Sequence, residues 1–227
     1  MKSSRLGFSI RNTLYLLGAM WVGFLFQALP FFYTPNWGII PRYTQSLKGI
    51  LTAPFMHGSW SHIISNSAPM AVLSMMLFYF YRKIAWTSYI LIHLLCGLAV
   101  WALARGSSVH IGASGVIYGL VAFIFWNGIF RKDLKSIILL LVVTVLYSGM
   151  LYGIVPNQPG ISWESHLFGG IVGIFVAYMM RRYDIKEYDD IEMQTAKPQS
   201  EADKEYYFDK DVFDRSLRER DELERRR

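Results

Sequence analysis

Acidic residues are almost absent from most of this 227-residue sequence. Residues 1–183 contain only Asp133 and Glu164, and the other fifteen carboxylates fall in residues 184–227. The first part therefore has a net charge of +11 and the tail −5. A membrane domain excludes charged groups from hydrocarbon, so this shortage of carboxylates indicates a membrane protein. We interpret the basic balance as a topology signal and expect no nucleic-acid partner.

Cysteine is also scarce, because Cys96 is the only one in the chain. A single cysteine cannot form an intrachain disulfide, so cysteine usage does not indicate a redox compartment. The N-terminus is basic and then apolar, and a cleaved signal peptide is one interpretation of it. No clear small-x-small cleavage site follows the apolar run, which is long enough to span a bilayer. We therefore interpret it as a first transmembrane helix.

Long apolar runs are what the sequence has in abundance. Six are long enough, or nearly so, to cross a hydrocarbon core that needs ~20 helical residues. They predict an all-α membrane protein with spans near residues 12–32, 61–81, 84–104, 112–130, 134–153 and 163–181. The linkers are short except for residues 33–60. A loop of that length in a compact membrane domain is typically functional or partly embedded.

Basic residues orient these spans. With the N-terminus inside, ten basic residues of the first part lie on the cytoplasmic side and three on the other: Arg42, Lys48 and Arg105. The positive-inside rule then predicts an N-in/C-in bundle. We expect a short cytoplasmic N-terminus at residues 1–11, a six-helix domain at 12–183 and a charged cytoplasmic tail at 184–227. For the tail we favour a solvated, partly disordered segment over a docking site for an unidentified cytoplasmic partner.

Polar residues within the predicted spans are the candidates for function, because they are costly in hydrocarbon. The second, fourth and sixth spans run from outside to inside, and His62, Ser114 and His166 lie near their starts. We therefore expect these three side chains at a similar shallow depth below the outer surface. Two pairs of glycines follow the serine and the second histidine, at Gly115 with Gly119 and at Gly169 with Gly173.

Glycines four residues apart form faces that let two membrane helices approach closely, although taken alone they also serve packing. If these faces meet, Ser114 and His166 come within hydrogen-bonding reach, and an imidazole activates a serine hydroxyl. Glu164 lies two residues before His166, on a different side of the helix. The pattern therefore predicts a Ser–His dyad in preference to a triad.

An oxyanion formed by such a nucleophile needs hydrogen-bond donors, each worth ~3 kcal/mol. His62 and Asn66 stand four residues apart and present two donors on one helix face. The alternative for this pair is interhelical hydrogen bonding that only holds the bundle together.

These residues resemble the motifs of the rhomboid family of intramembrane serine proteases. Residues 112–115 are similar to its GxSG motif, residues 57–66 to its HxxxxHxxxN pattern, and residues 166–173 to its HxxGxxxG helix. Tyr118 stands where the family has an aromatic residue that packs against the catalytic histidine. The resemblance covers about residues 10–183.

The resemblance implies a six-helix rhomboid-type bundle with Ser114 as nucleophile and His166 as general base. The oxyanion would be held by the Ser114 N–H with His62 and Asn66, and the supporting residues would be Gly112, Gly115, Tyr118, Gly169 and Gly173. It implies no metal and no organic cofactor. The partners would be the lipid bilayer and single-span membrane proteins, cut near the outer end of their helix. The fifth span would be a lateral gate, and residues 33–60 a partly embedded loop facing the substrate.

Several points stay open in the sequence. A non-proteolytic rhomboid-like protein that binds membrane clients is the main alternative. A small transporter is a further one, but it predicts polar groups at the midplane rather than near one face. Pro41-Arg42 replaces the Trp-Arg pair of some family members, which leaves the anchoring of the first loop undetermined. The missing transit-like signature favours a bacterial plasma membrane.

Three histidines and the cysteine fall outside the predicted site. We expect His57 to be a loop-stabilising donor, with lining of the site as its second option. His110 is expected to be exposed, and His93 and Cys96 to be interior packing residues.

Overall fold

A computed structural model describes residues 4–27, 29, 37–106, 108–156 and 162–183. These residues are helical and connecting segments, and they form no β-strand beyond one antiparallel bridge between Ile39 and His110. The α-helices are α1 Arg5–Phe26, α2 Gly49–Thr52, α3 Trp60–Phe80, α4 Ala85–Leu103, α5 Ser114–Arg131, α6 Leu134–Tyr147 and α7 Trp163–Met180. Short 3₁₀ helices cover Thr44–Ser46, Ala53–Phe55 and Ser148–Ile154. The predictions for the tail lie outside the described residues.

Among the described residues, four helical segments are long and apolar enough to cross a membrane. They are Trp60–Phe80, Ala85–Leu103, Ser114–Arg131 and Leu134–Ile154. Helices α1 and α7 lie at the first and sixth predicted spans and are not among these four. The prediction of an all-α membrane protein is thus confirmed, whereas six spans in an N-in/C-in arrangement stay a prediction.

Helix boundaries differ most from the predicted ones in α1 and α6. Helix α1 begins at Arg5, seven residues early, because the Ser4 side chain caps it by accepting a hydrogen bond from the Gly7 N–H. Helix α6 ends at Tyr147, and a 3₁₀ helix continues it to Ile154. This 3₁₀ helix contains Gly153, whose carbonyl contacts the site described below.

Helix α5 lies at the centre of the bundle. It packs along α7 and α6 and also meets α3 and α4, with fully buried side chains such as Leu120, Phe123 and Ile124. Lipid tails are as apolar as these side chains, so close packing and hydrogen bonds hold helices together in a membrane. One such bond joins α1 to α4, where Trp86 Nε1 donates to Asn12 Oδ1 at 3.2 Å.

Within the described residues 37–59, the first loop is anchored to α4. Arg42 has a left-handed backbone with a φ of 60°. Its N–H donates to the Trp101 carbonyl at 2.8 Å and its Nη1 to the Ala104 carbonyl at 2.7 Å. His93 of α4 also holds the loop, because its Nε2 lies 3.1 Å from the Ile50 carbonyl. These contacts show how the loop is held, and its short helices are features that the sequence did not predict.

Candidate active site

Ser114 is the first residue of α5, and the turn before it needs a glycine. Gly112 has a φ of 103°, a conformation that side-chain-bearing residues rarely adopt. A Cβ at this position would also lie 2.6 Å from His62 Nε2. Because Ser114 begins the helix, its backbone N–H has no acceptor within α5. The turn therefore presents a hydroxyl and a free N–H donor at the same end of the helix.

His166 lies in the first turn of α7, beside this hydroxyl. Its Nε2 is 2.8 Å from Ser114 Oγ, and its Nδ1 is 2.8 Å from the Gly153 carbonyl oxygen. A carbonyl can only accept, so Nδ1 carries the proton of the neutral ring and Nε2 is left as an acceptor for the Ser114 hydroxyl. Sequence reasoning missed Gly153, since nothing in the pattern indicates which carbonyl folds back onto the ring.

Tyr118 packs flat on the His166 ring, with centroids 4.1 Å apart and planes 8° from parallel. Its hydroxyl donates to the Met150 carbonyl in the 3₁₀ helix after α6. Tyr118 therefore contacts the imidazole and also the segment that supplies the imidazole's other hydrogen-bond partner.

Glycines allow the close approach of α5 and α7. A Cβ at Gly169 would collide with the Gly115 carbonyl, and one at Gly173 with the Gly119 carbonyl. The two predicted small-residue faces therefore meet each other. Their contact begins one residue after Ser114 and three residues after His166, so it brings the helices together just inward of the Ser–His pair.

His62 and Asn66 occupy one face of α3, next to the Gly112 turn. Asn66 is buried, and its Nδ2 makes no hydrogen bond with the described residues. An unpaired buried donor costs about 1–3 kcal/mol, a cost removed when an acceptor comes to it. His62, Asn66, Ser114 and His166 all line one open cavity of about 940 Å³. The cavity can therefore receive a polar group beside both donors.

Glu164 does not face His166. Its carboxylate pairs with Arg105, through Nε to Oε1 and Nη2 to Oε2, and Arg105 also lies over the Trp163 ring. The hydrogen bond and charge of Glu164 raise the pKa of Arg105 above its usual value. Both residues line the rim of the cavity. The carboxylate nearest in sequence to the imidazole is thus engaged elsewhere.

The contacts and burial of the other histidines agree in part with the sequence predictions. His57 is held through its backbone, whose N–H and C=O each bond to the Gln27 side chain at 2.7 Å. Its ring nitrogens make no hydrogen bond with the described residues, so the donor that ties this loop to Gln27 is the backbone N–H of His57. The ring instead lies edge-on to His62, with centroids 4.9 Å apart. His93 and Cys96 are buried, as predicted.

His110 was expected to be exposed, and this prediction is wrong. The residue is only 4% exposed, because its backbone pairs with Ile39 in the first loop and its ring points toward the start of α7. Its position just before residues 112–115 suggested exposure, whereas two segments distant in sequence cover the residue in the fold.

The Rhomboid domain family matches residues 44–183. An uncharacterized protein of Mycobacterium tuberculosis is 36% identical over 152 residues, which cover 63% of each chain. An uncharacterized protein of Mycobacterium leprae is 32% identical over 154 residues, covering 64% of this chain and 61% of that one.

A plant protein extends the comparison. Rhomboid-like protein 11, chloroplastic, of Arabidopsis thaliana is 26% identical over 157 residues, covering 59% of this chain and 52% of that one. The chain thus spans less than two thirds of the length of these relatives. The family match and the four membrane-capable helices identify an integral membrane protein. By the extent of this match, the chain belongs to the rhomboid family.

Proposed function

We propose that this protein is an intramembrane serine endopeptidase in which Ser114 is the nucleophile and His166 the general base. The observation that carries the proposal is the 2.8 Å approach of Ser114 Oγ to His166 Nε2 within an open, polar-lined cavity. A serine hydroxyl is a weak nucleophile until an adjacent base takes its proton. Two donors on α3, His62 and Asn66, line the same cavity, and Asn66 Nδ2 has no hydrogen-bond partner among the described residues.

The first half-reaction forms an ester on Ser114. Ser114 Oγ attacks the scissile carbonyl carbon while its proton passes to His166 Nε2. The negative charge that develops on the substrate oxygen is stabilised by the Ser114 N–H, His62 and Asn66. His166 then gives its proton to the leaving nitrogen as the C–N bond breaks, which leaves the acyl group on Ser114.

The second half-reaction releases the acyl group. A water molecule in the cavity gives a proton to His166 Nε2 as its oxygen attacks the ester carbon. The same donors stabilise the second tetrahedral oxyanion. The C–O bond to Ser114 then breaks, Ser114 Oγ takes the proton back from His166, and the new carboxyl terminus leaves.

A backbone carbonyl orients the imidazole in this dyad, which is one of the two roles that a carboxylate has in a triad. The Gly153 carbonyl accepts from His166 Nδ1 and so keeps Nε2 in the acceptor state. Tyr118 restrains the ring against rotation by stacking on it. The arrangement supports a dyad, since Glu164 is held by Arg105.

The proposed substrates are single-span membrane proteins, cut near the outer end of the transmembrane helix. The site residues lie at the starts of α3, α5 and α7, while clusters of basic residues follow the other ends of these helices. The positive-inside rule then favours an outward-facing site, six spans and an N-in/C-in arrangement. The mycobacterial relatives support a bacterial plasma membrane as its location.

Helix α6 is the proposed lateral gate for such substrates. Its outer face is open, with Leu134 75% and Val145 80% exposed to the surroundings of the bundle. Besides the 3₁₀ helix that continues it, α6 packs mainly against α5. A helix with few partners moves at a smaller cost than one packed on all sides.

Fluorophosphonate labelling of the purified full chain tests the proposal. The wild type is expected to form a covalent adduct and to cleave a single-span model substrate, and Ser114→Ala is expected to do neither. Ser61→Ala is the control, because Ser61 is an exposed hydroxyl close to the start of α3 and has no partner on α7. A protein that captures a membrane client but shows neither labelling nor cleavage would instead be a non-proteolytic binding protein.

A further inference from the structure

The Ser114–His166 pair lies between two sets of contacts that join the α5 and α7 segments. On the inner side are the glycine contacts described above. On the outer side, His110 lies four residues before Ser114, and Ser162 lies four residues before His166. His110 Nδ1 is 2.5 Å from Ser162 Oγ. The two residues of the outer contact are therefore separated in sequence by the same number of positions as Ser114 and His166, with Ser162 at the cap of α7 and His110 in the segment that leads into α5.

His110 joins three segments of the chain. Its backbone exchanges hydrogen bonds with Ile39 of the first loop at 2.8 and 2.9 Å. Its ring contacts Ser162, which caps α7, and Ser165 Oγ lies 3.4 Å from the same nitrogen. His110 is buried, and it lines the open cavity together with Ser162.

We propose that His110 is a positioning residue for the peptidase reaction: it holds the first turn of α7, and hence His166, at the distance from Ser114 that proton transfer requires. This inference rests on the proposed function. His110 itself contacts no reacting atom, and it acts through Ser162 and Ser165.

The first turn of α7 needs such a partner. The first N–H groups of a helix have no acceptor inside it, so the position of that turn depends on capping groups. Ser162 supplies the cap by accepting a hydrogen bond from the Ser165 N–H. His166 follows directly, so any shift of Ser162 moves the imidazole. A displacement of ~1 Å at such a site can lower the rate ~100-fold.

A second contact, from Arg105 to Glu164, also holds the first turn of α7, but it contributes less to the position of that turn. The Arg105 side chain is 64% exposed, and exposed ion pairs contribute little. His110, in contrast, is enclosed on the first-loop side and on the α7 side. The structure thus favours His110 as the residue that controls the geometry.

Isosteric substitutions separate positioning from packing. Asn carries an amide atom close to the place of the histidine Nδ1 and keeps the bond to Ser162. Gln carries one closer to the place of Nε2, which makes no hydrogen bond with the described residues. Phe fills the space and provides neither. We expect His110→Asn to keep most of the activity and His110→Gln and His110→Phe to lose it.

The experiment uses the full chain in lipid vesicles with a single-span model substrate. His110→Phe is expected to lower kcat ~10–100-fold with little change in KM, and to slow fluorophosphonate labelling in parallel. His93→Phe is the matched control: it also removes a buried histidine, but one whose ring bonds the Ile50 and Leu51 carbonyls of the first loop and not a side chain that caps α7. It is expected to lower thermal stability while leaving kcat unchanged.

Hydrogen exchange provides a readout that does not need activity. In His110→Phe the amides of Ser165 and His166 should exchange faster, and in His110→Asn they should match the wild type. If the wild type neither labels nor cleaves, the proposed peptidase function fails, and unchanged exchange would separately overturn the role of His110 in holding α7.

Three results would overturn the positioning role. One is a wild-type kcat in His110→Phe, another is a His110→Asn enzyme as slow as His110→Phe, and the third is a rate loss in His93→Phe of the same size. Should His110→Phe fail to fold, the ratio of kcat between His110→Asn and His110→Gln decides, and equal values would contradict the inference.

Discussion

Tyr118 and His166 are stacked, with ring centroids 4.1 Å apart, and the tyrosine hydroxyl bonds to the Met150 carbonyl. Aromatic pairs of this kind contribute about 0.5–1.5 kcal/mol beyond the area they bury. We expect Tyr118→Leu to lower kcat up to ~10-fold, because the imidazole loses its flat support. Tyr118→Phe keeps the stack and should lose much less. Cleavage kinetics of the two variants check this, and equal losses would show that the hydroxyl matters more than the ring.

Replacing Asn66 should change the activity of the protein but not the stability of its fold. Its Nδ2 is buried without a hydrogen-bond partner among the described residues, so removing it should not destabilise the fold. As an oxyanion donor it should matter greatly, and Asn66→Ala is expected to lower kcat ~100-fold with little change in KM. Asn127→Ala is the control, because that buried amide lies outside the cavity and donates to the Phe123 carbonyl. A stability loss in Asn66→Ala without a rate loss would instead indicate structural hydrogen bonding.

Glu164 tests whether a carboxylate takes part. It pairs with Arg105 and the His166 Nδ1 partner is Gly153, so Glu164→Gln should leave kcat within about threefold of the wild type. Loss of the orienting acid in a true triad costs ~10⁴ in kcat. Steady-state cleavage by the Gln variant distinguishes the two cases, and a loss above ~100-fold would exclude the dyad.

Gly169 and Gly170 form a matched pair for helix contact. A Cβ at Gly169 would collide with the Gly115 carbonyl, whereas a Cβ at Gly170 meets nothing within 4 Å. We expect Gly169→Ala to cost about 1–3 kcal/mol of stability and to abolish cleavage, because the helices must separate. Gly170→Ala should leave both unchanged. Thermal unfolding in detergent and cleavage assays measure these effects, and similar behaviour of the two variants would contradict the helix contact.

His57 makes stability depend on pH. Burial, with a smaller contribution from the neighbouring His62, lowers the pKa of His57 to about 4 from its ordinary 6.5. Between these values the unfolded chain binds the proton and the folded chain does not, so stability falls as the pH drops from 6.5 toward 4. We expect the wild-type Tm to decrease across this range and His57→Asn to decrease less. Parallel pH curves for the two proteins would exclude His57 as a source of the effect.

Much of the site follows from local pattern. The shortage of carboxylates before residue 184 indicates a membrane domain, and apolar run lengths place α3, α4 and α5 within a few residues of their observed bounds. Glycine spacing predicts the α5–α7 face, and span direction predicts that Ser114 and His166 share a depth. These features depend on helical periodicity and on the cost of charge in hydrocarbon, both of which act along the chain.

Only the tertiary structure determines which distant groups complete the site. The Gly153 carbonyl meets His166 because the chain tightens into a 3₁₀ helix after α6, and Arg42 reaches Ala104 because of a left-handed turn. His110 is buried because the first loop and α7 close over it. These partners meet through the folding of segments far apart in sequence, and no residue type or spacing identifies them in advance.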